Sequence, residues 1–294
     1  MSQLTQRNPM SAFLQTIELY KQAGYEIKTS LNPMHFSHNQ EFIRDFGTYF
    51  PFTFFIEKDK HIELRTGGGI SNNEVFMFET LANVEHNIHN IFIIGNAFGY
   101  SAVILSLLFP NAKVVCIDAG IDGADNMLGI NLTNTIAKSH NLNISVEFGF
   151  SPKDTKTIIQ KHFNTPLNLV FIDGLHTNEQ LLLDFEETQK YCNQDTIWVM
   201  HDVINYHMQD SFEKIKKTLA NTHITKLLYR TQSGIGFAAP AHNHNVLNVL
   251  EAFSENDALI AHLSQIAKGY QDPLRIIKKL IPRPIKTFIK AYLR

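Results

Sequence analysis

The chain has 294 residues, 44% hydrophobic, 11% aromatic and 18% charged, the balance of a globular protein with a sizeable core, which excludes disorder or a fibrous repeat as its main state. Lys plus Arg number 26 and Asp plus Glu 28, so no global electrostatic drive toward nucleic acid exists and none is expected as a partner. Charge is unevenly placed, because residues 268–294 hold eight basic groups against the single acid Asp272 and leave 18 basic and 27 acidic groups before them.

Only Cys116 and Cys192 are present, and Cys116 lies in an apolar run. No disulfide framework follows from two such thiols, and a reducing, cytoplasmic setting is expected. The N-terminal stretch lacks the apolar core of a signal peptide, and no apolar run reaches the ~18 residues of a membrane span.

In chain order, residues 1–66 are expected to form an N-terminal extension, with a helix over Ser11–Ala23. An aromatic segment follows with Phe46, Tyr49, Phe50, Phe52, Phe54 and Phe55, which is expected to pack on the main domain rather than line a pocket. Gly67-Gly68-Gly69 then precede Ser71 and Glu74, the spacing of a capping box that opens a helix to about Val84.

From Asn90 to Pro240 short β-branched runs alternate with longer amphipathic stretches, the signature of βα units around a mostly parallel sheet. The runs are Ile91–Ile94, Lys113–Ile117, Ile144–Phe148, Leu167–Ile172 and Thr196–Met200, each nearly all apolar, as a strand covered on both faces should be. Ile224–Tyr229 and Ile235–Ala239 are separated only by Arg-Thr-Gln-Ser-Gly. A parallel crossover needs a dozen or more residues, so these two strands are expected to be antiparallel neighbours. The expected fold is therefore α/β and Rossmann-like: five parallel strands plus an antiparallel pair, over residues 67–240, with a helical tail at 241–294.

Three segments carry chemistry. Gly95-Asn96-Ala97-Phe98-Gly99-Tyr100-Ser101 follows the first core strand and opens a helix, where glycines allow close backbone approach and free N–H groups face a ligand. Asp118 ends the second strand, where an acid accepts hydrogen bonds from ribose hydroxyls. The absence of GxGxxG disfavours a nicotinamide or flavin dinucleotide. Gly149 and Ser151 follow the third strand at the same sheet edge, either bordering a bound base or forming an ordinary loop.

The most specific segment is the pair Asp173-Gly174-Leu175-His176 and His201-Asp202, each following a buried strand. Asp173, His176, His201 and Asp202 are expected to converge where a divalent cation and a proton acceptor coexist. Asp184 reads as a solvated acid or a helix-support residue.

The core resembles the class I S-adenosylmethionine-dependent methyltransferases. The DGxH followed by HD resembles small-molecule O-methyltransferases that include macrolide-sugar methyltransferases and proteins named cephalosporin hydroxylase-like. The resemblance spans about residues 67–240, including the Ser-Gly-Ile-Gly turn into the last strand. It implies S-adenosylmethionine held by Gly95, Asn96, Ala97, Gly99 and Ser101, with Asp118 on the ribose and Gly149, Ser151 and Asp173 completing the site. It further implies a divalent metal, Mg or Mn, on Asp173, His201 and Asp202. His176 would be the base, with a small-molecule or sugar hydroxyl as acceptor.

This chain departs from that family twice. Ile93 stands where members usually carry Glu or Asp two residues before the first glycine, and His201 stands where members often carry an acid, its imidazole being less suited to Mg than to Mn, Fe or Zn. Two rival readings follow: a non-catalytic binding or adaptor protein whose cofactor site has decayed, and a metal-dependent oxygenase using two His and a carboxylate.

In the tail, Ile285, Phe288, Ile289, Tyr292 and Leu293 recur at helical spacing beside Lys286, Lys290 and Arg294. Pro282 and Pro284 separate this helix from an earlier turn at Leu274–Ile281. Such a basic amphipathic helix either lies peripherally on the anionic inner membrane surface, through residues 274–294, or packs on its own domain or on a homodimer mate.

Overall fold

The structure is a computed structural model that describes residues 9–29, 52–58, 61–67, 69–121, 127–231 and 233–271. The basic amphipathic tail helix and the aromatics Phe46, Tyr49 and Phe50 lie outside the described residues. Met1–Ser254 and Glu255–Arg294 are two compact units.

The first unit begins with helix α1 (Pro9–Gln22), close to the helix expected over Ser11–Ala23, and strands β1 (Glu26–Thr29), β2 (Phe52–Lys58) and β3 (His61–Gly67). These strands form an antiparallel sheet in the order β1-β2-β3. The sequence reading expected no strands here. Phe-Thr-Phe-Phe-Ile is a run of strong β-formers, which accounts for the strand.

Helix α2 (Asn72–Val84) starts at the capping box, with the Ser71 side chain accepting from the Glu74 N–H and the Glu74 carboxylate accepting from the Ser71 N–H. The main sheet follows as β4 (Asn90–Ile94), α3 (Tyr100–Leu108), β5 (Lys113–Asp118), α4 (Leu128–His140), β6 (Ile144–Phe148), α5 (Thr155–His162) and β7 (Leu167–Ile172). It continues through α6 (Asn178–Gln189), β8 (Cys192–Met200), α7 (Gln209–Leu219), β9 (His223–Leu228), β10 (Ile235–Pro240) and α8 (His244–Phe253). The second unit contributes α9 (Asp257–Gln271).

Seven strands lie in the order β6-β5-β4-β7-β8-β10-β9. β4 to β8 are mutually parallel, and β10 runs antiparallel to both β8 and β9. This is the expected arrangement of five parallel strands and an antiparallel pair. The β9–β10 connection is too short for a crossover, so the sequence leaves no other pairing.

Alternation along each strand splits the core in two. Ile91 and Ile93 of β4 join Val75, Phe78, Leu105, Ile136 and Val246 on one face, while Phe92 and Ile94 join Ile158, Leu181, Phe185, Phe212 and Ile215 on the other. Helices α1, α2, α3, α4 and α8 supply the first face and α5, α6 and α7 the second, so the sheet is the middle of three layers. Each large apolar side chain buried this way contributes about 1.5–3 kcal/mol. Among the described residues, no helix is long and apolar enough to cross a membrane.

The strand order reverses between β4 and β7, and the carboxyl ends of parallel strands at such a reversal form the crevice where α/β sheets bind ligands. The ladder extends one residue past these ends. Gly149 N–H donates to Asp118 C=O, Gly95 N–H to Ile117 C=O, Asp173 N–H to Ile94 C=O and His201 N–H to Ile172 C=O, all at 2.8–2.9 Å. Backbone pairing therefore sets Gly149, Gly95, Asp173 and His201 in one row along the edge.

Candidate active site

Asp173 and His176 reach that edge from the loop after β7, and His201 and Asp202 from the loop after β8. One ligand atom from each lies within 4.8 Å of all the others. His176 Nε2 is 3.2 Å from Asp173 Oδ1 and 3.5 Å from Asp202 Oδ2, and His201 Nδ1 is 2.9 Å from Asp173 Oδ1 and 3.3 Å from Asp202 Oδ2. The structure thus brings together the four residues singled out in the sequence. Asp202 achieves this with a left-handed backbone, φ 58°, a conformation that costs a non-glycine residue about 1–2 kcal/mol. The Asn205 side-chain amide donates to its Oδ1 at 2.9 Å.

Despite these short approaches, the buried His201 Nδ1 makes no hydrogen bond of acceptable geometry among the described residues. Its other nitrogen is committed: Nε2 lies 3.2 Å from Glu74 Oε2. The Glu74 carboxylate also accepts from the Ser71 N–H at 2.6 Å, from the Ser233 N–H at 3.0 Å and from the Ser233 hydroxyl. The sequence reading assigned Glu74 only its capping role. No local signal could have paired it with His201, 127 residues away.

Electrostatics at the cluster are strongly coupled. Burial pushes Asp173 upward, but the neighbouring His201 and His176 override it and bring its carboxyl down to about 2. Burial likewise raises Glu74, yet His201, Ser233 and the Ser71 N–H hold it at about 2. His201 runs the other way: burial opposes its charge, while Asp173 and Glu74 hold its imidazole well above the ordinary value. His176 is raised too, because its bond to Asp173 outweighs burial. The Tyr206 ring lies over His176 with centroids 4.4 Å apart and planes 30° apart, an aromatic contact for which the sequence offered no motif.

On the other side of the reversal, the loop after β4 carries Gly95 at φ +92°, and a Cβ built there would lie 2.0 Å from the Asp173 carbonyl oxygen. The loop and the DGxH segment are therefore packed backbone to backbone. Asp118 holds the loop from β5: its Oδ2 accepts from the Asn96 and Ala97 N–H groups at 2.6 and 3.0 Å, and its Oδ1 from Gly120 N–H at 2.6 Å. Asn96 is buried, with its amide donating to Ala97 C=O and Thr133 Oγ1, while its Oδ1 has no partner. Gly99 caps α3 in a left-handed conformation, and Ser101 is buried in the first turn of that helix.

Residues 92–203 match a family model described as a methyltransferase domain. The sheet core is thus similar to a methyltransferase domain over those residues, and its strand order is that of the Rossmann-like class I methyltransferase fold.

No curated protein matches the chain. Among solved structures, an O-methyltransferase from Bacillus cereus is 19% identical, covers 58% of this chain and 80% of its own, and has a TM-score of 0.43. An O-methyltransferase of tomaymycin synthesis from Streptomyces achromogenes is 15% identical, covers 58% and 81%, and has a TM-score of 0.45.

Within the sheet core, several singled-out residues are used by the protein itself. Ser151 Oγ donates to Asp184 Oδ1 at 2.5 Å, and the Gln180 amide donates to Asp184 Oδ1 and to the Ser151 carbonyl at 2.7 and 2.9 Å. Asp184 is buried, and burial raises its carboxyl despite those two donors. The solvated reading of Asp184 is thereby corrected, since the loop after β6 covers it, and the helix-support reading describes what it does. Ile93 is fully buried in the core face of β4, so apolar packing occupies this position.

Proposed function

We propose that this chain transfers the methyl group of S-adenosylmethionine to a hydroxyl of a small molecule or sugar, assisted by a divalent cation. The observation that carries the reading is the convergence of Asp173, His176, His201 and Asp202 beside the Gly95 loop, with the buried His201 Nδ1 turned to the two carboxylates. One nitrogen and two carboxylates within ion-pair reach fit a cation such as Mg or Mn.

The cofactor side fits as well. Ile121, Phe148 and Phe150 expose large apolar surface after β5 and β6, where an adenine would rest. Among the described residues Asp118 Oδ1 accepts from one backbone donor, and a carboxylate oxygen has two acceptor positions, which leaves one for a ribose hydroxyl.

When bound, S-adenosylmethionine supplies an electrophilic methyl and the cation supplies the charge that acidifies the acceptor hydroxyl. Asp173, His201 and Asp202 would hold the cation. His176 Nε2, oriented by Asp173 and backed by Tyr206, would take the hydroxyl proton as the methyl is transferred in line. Gly95 and its loop would position the methionine end, with Gly149 and Ser151 bordering the base.

Release of S-adenosylhomocysteine over a panel of hydroxylated metabolites and sugars, with Mn present and then with chelator, tests the reading. Acceptor-dependent release that chelator abolishes supports it. Release that is independent of every acceptor, or untouched by chelator, contradicts acceptor methylation or the cation respectively.

A further inference from the structure

Glu74 occupies the third helical position of α2, where a capping-box carboxylate ordinarily lies at the surface and serves one backbone N–H. Here it is only 1% exposed and receives the Ser71 N–H, the Ser233 N–H and hydroxyl, and His201 Nε2. Withdrawing a carboxylate from water costs far more than a helix cap returns. Capping alone does not account for its burial.

What the buried carboxylate does is join three distant elements at one imidazole. It ties the start of α2 and the turn between β9 and β10 to the end of β8. It also commits one specific nitrogen of His201: with Nε2 donating to Glu74, Nδ1 is the nitrogen left facing Asp173 and Asp202. That nitrogen belongs to a side chain 6% exposed and lies 2.9 Å from Asp173 Oδ1 and 3.3 Å from Asp202 Oδ2.

We infer that Glu74 is a positioning residue that presents His201 Nδ1 to the cluster, and that the resulting one-nitrogen, two-carboxylate set takes a borderline divalent ion such as Zn, Co or Fe(II) in preference to Mg. The inference rests on the cation-assisted reading above. Its physical basis is that imidazole suits Zn, Co and Fe while Mg favours oxygen donors. A carboxylate on the far nitrogen of a ligating His fixes ring orientation and raises ligand basicity, and removing such a support typically costs 10–100-fold in metal affinity.

Glu74→Gln sharpens the case. A glutamine keeps a carbonyl acceptor for one donor, but its amide would donate to Nε2, driving the proton onto Nδ1 where the ion should sit. Ser71 and Ser233 would then compete for the single remaining carbonyl.

The test is calorimetric titration of the full chain with Zn and separately with Mg, for wild type, Glu74→Gln and His201→Asp, each checked for folding by thermal melt. Nitrogen-15 histidine spectra of the Zn-loaded wild type accompany the titrations. We expect Zn to bind wild type more tightly than Mg, a 10–100-fold loss of Zn affinity in Glu74→Gln, and a shift of the Zn-to-Mg preference toward Mg by at least about tenfold in His201→Asp. The spectra should show His201 metal-bound through Nδ1 with a proton on Nε2.

Wild type that binds neither ion overturns both this inference and the cation-assisted reading. Wild type that binds Mg as tightly as Zn overturns the ion preference. Zn bound through Nε2, or bound equally by Glu74→Gln, overturns the positioning role and leaves the cation-assisted reading standing. Should Glu74→Gln fail to fold, the spectra and the His201→Asp preference still decide.

Discussion

His201 Nε2 meets Glu74 Oε2 at 3.2 Å across 127 residues of sequence, and this contact sets which face of the imidazole the candidate site can use. It links the helix that opens the domain to the strand end that closes the site. Around it, two carboxylates and a second imidazole stand within 4.8 Å of one another.

In the proposed reaction His176 takes the proton, and its contacts are with Asp173, Asp202 and Tyr206. His176→Ala should lower turnover by about 10²–10⁴-fold while S-adenosylmethionine affinity stays within a factor of a few. Turnover and equilibrium cofactor binding measured on the same preparation check this, and a collapse of cofactor affinity would contradict the assignment.

Gly95 is held by geometry that admits no side chain: φ is +92° and a Cβ would lie 2.0 Å from the Asp173 carbonyl oxygen. Gly95→Ala should destabilise by more than about 1 kcal/mol and push Asp173 out of register, weakening Zn binding as well. Thermal unfolding and Zn titration read the two effects together. A variant with wild-type stability would show that the two loops are not packed as described.

Glu79 on α2 is 6% exposed, and burial pushes its carboxyl from 4.5 to about 7. An acid raised in the folded state favours the fold when protonated, so its contribution is present below pH 4.5 and lost as pH rises toward about 7. Glu79→Gln should therefore match wild type near pH 4 and exceed it by about 3 kcal/mol at pH 8. Unfolding curves at the two pH values would contradict this if the difference were the same at both.

In chelator-treated protein the sign reverses for Asp173, whose carboxyl lies at about 2 against the ordinary 3.8. A depressed acid contributes stability present above its ordinary value and lost as pH falls through the folded value. The melting-temperature advantage of wild type over Asp173→Asn should therefore shrink between pH 3.8 and about 2. An advantage that persists undiminished at the acid end would mean that His201 and His176 do not hold the Asp173 charge.

The sheet was legible in the sequence because its strands are covered on both faces. Ile91–Ile94 and Leu167–Ile172 had to be nearly all apolar, and the short Arg-Thr-Gln-Ser-Gly link left β9 and β10 only antiparallel pairing. The convergence of Asp173, His176, His201 and Asp202 was legible for the same reason, since residues that follow adjacent parallel strands share an edge.

Side-chain partnerships across long separations were not legible. Nothing local ties Glu74 to His201 or Ser233, and nothing near Asp184 announces that Ser151 and Gln180 will bury it. The β1–β3 sheet was overlooked because β2 is one mixed run of aromatics and β-formers, which periodicity alone does not separate from a packing segment.

The most direct test of the central claim is calorimetric titration of the full chain with S-adenosylmethionine and S-adenosylhomocysteine, with and without Mn. The account predicts micromolar binding of both, since the Gly95 loop, Asp118 and the apolar rim at Phe148 and Phe150 stand at the sheet edge where the cofactor would lie. Absence of binding under either condition would contradict it, and would mean that the buried Ile93 marks a domain that kept the fold and lost the cofactor.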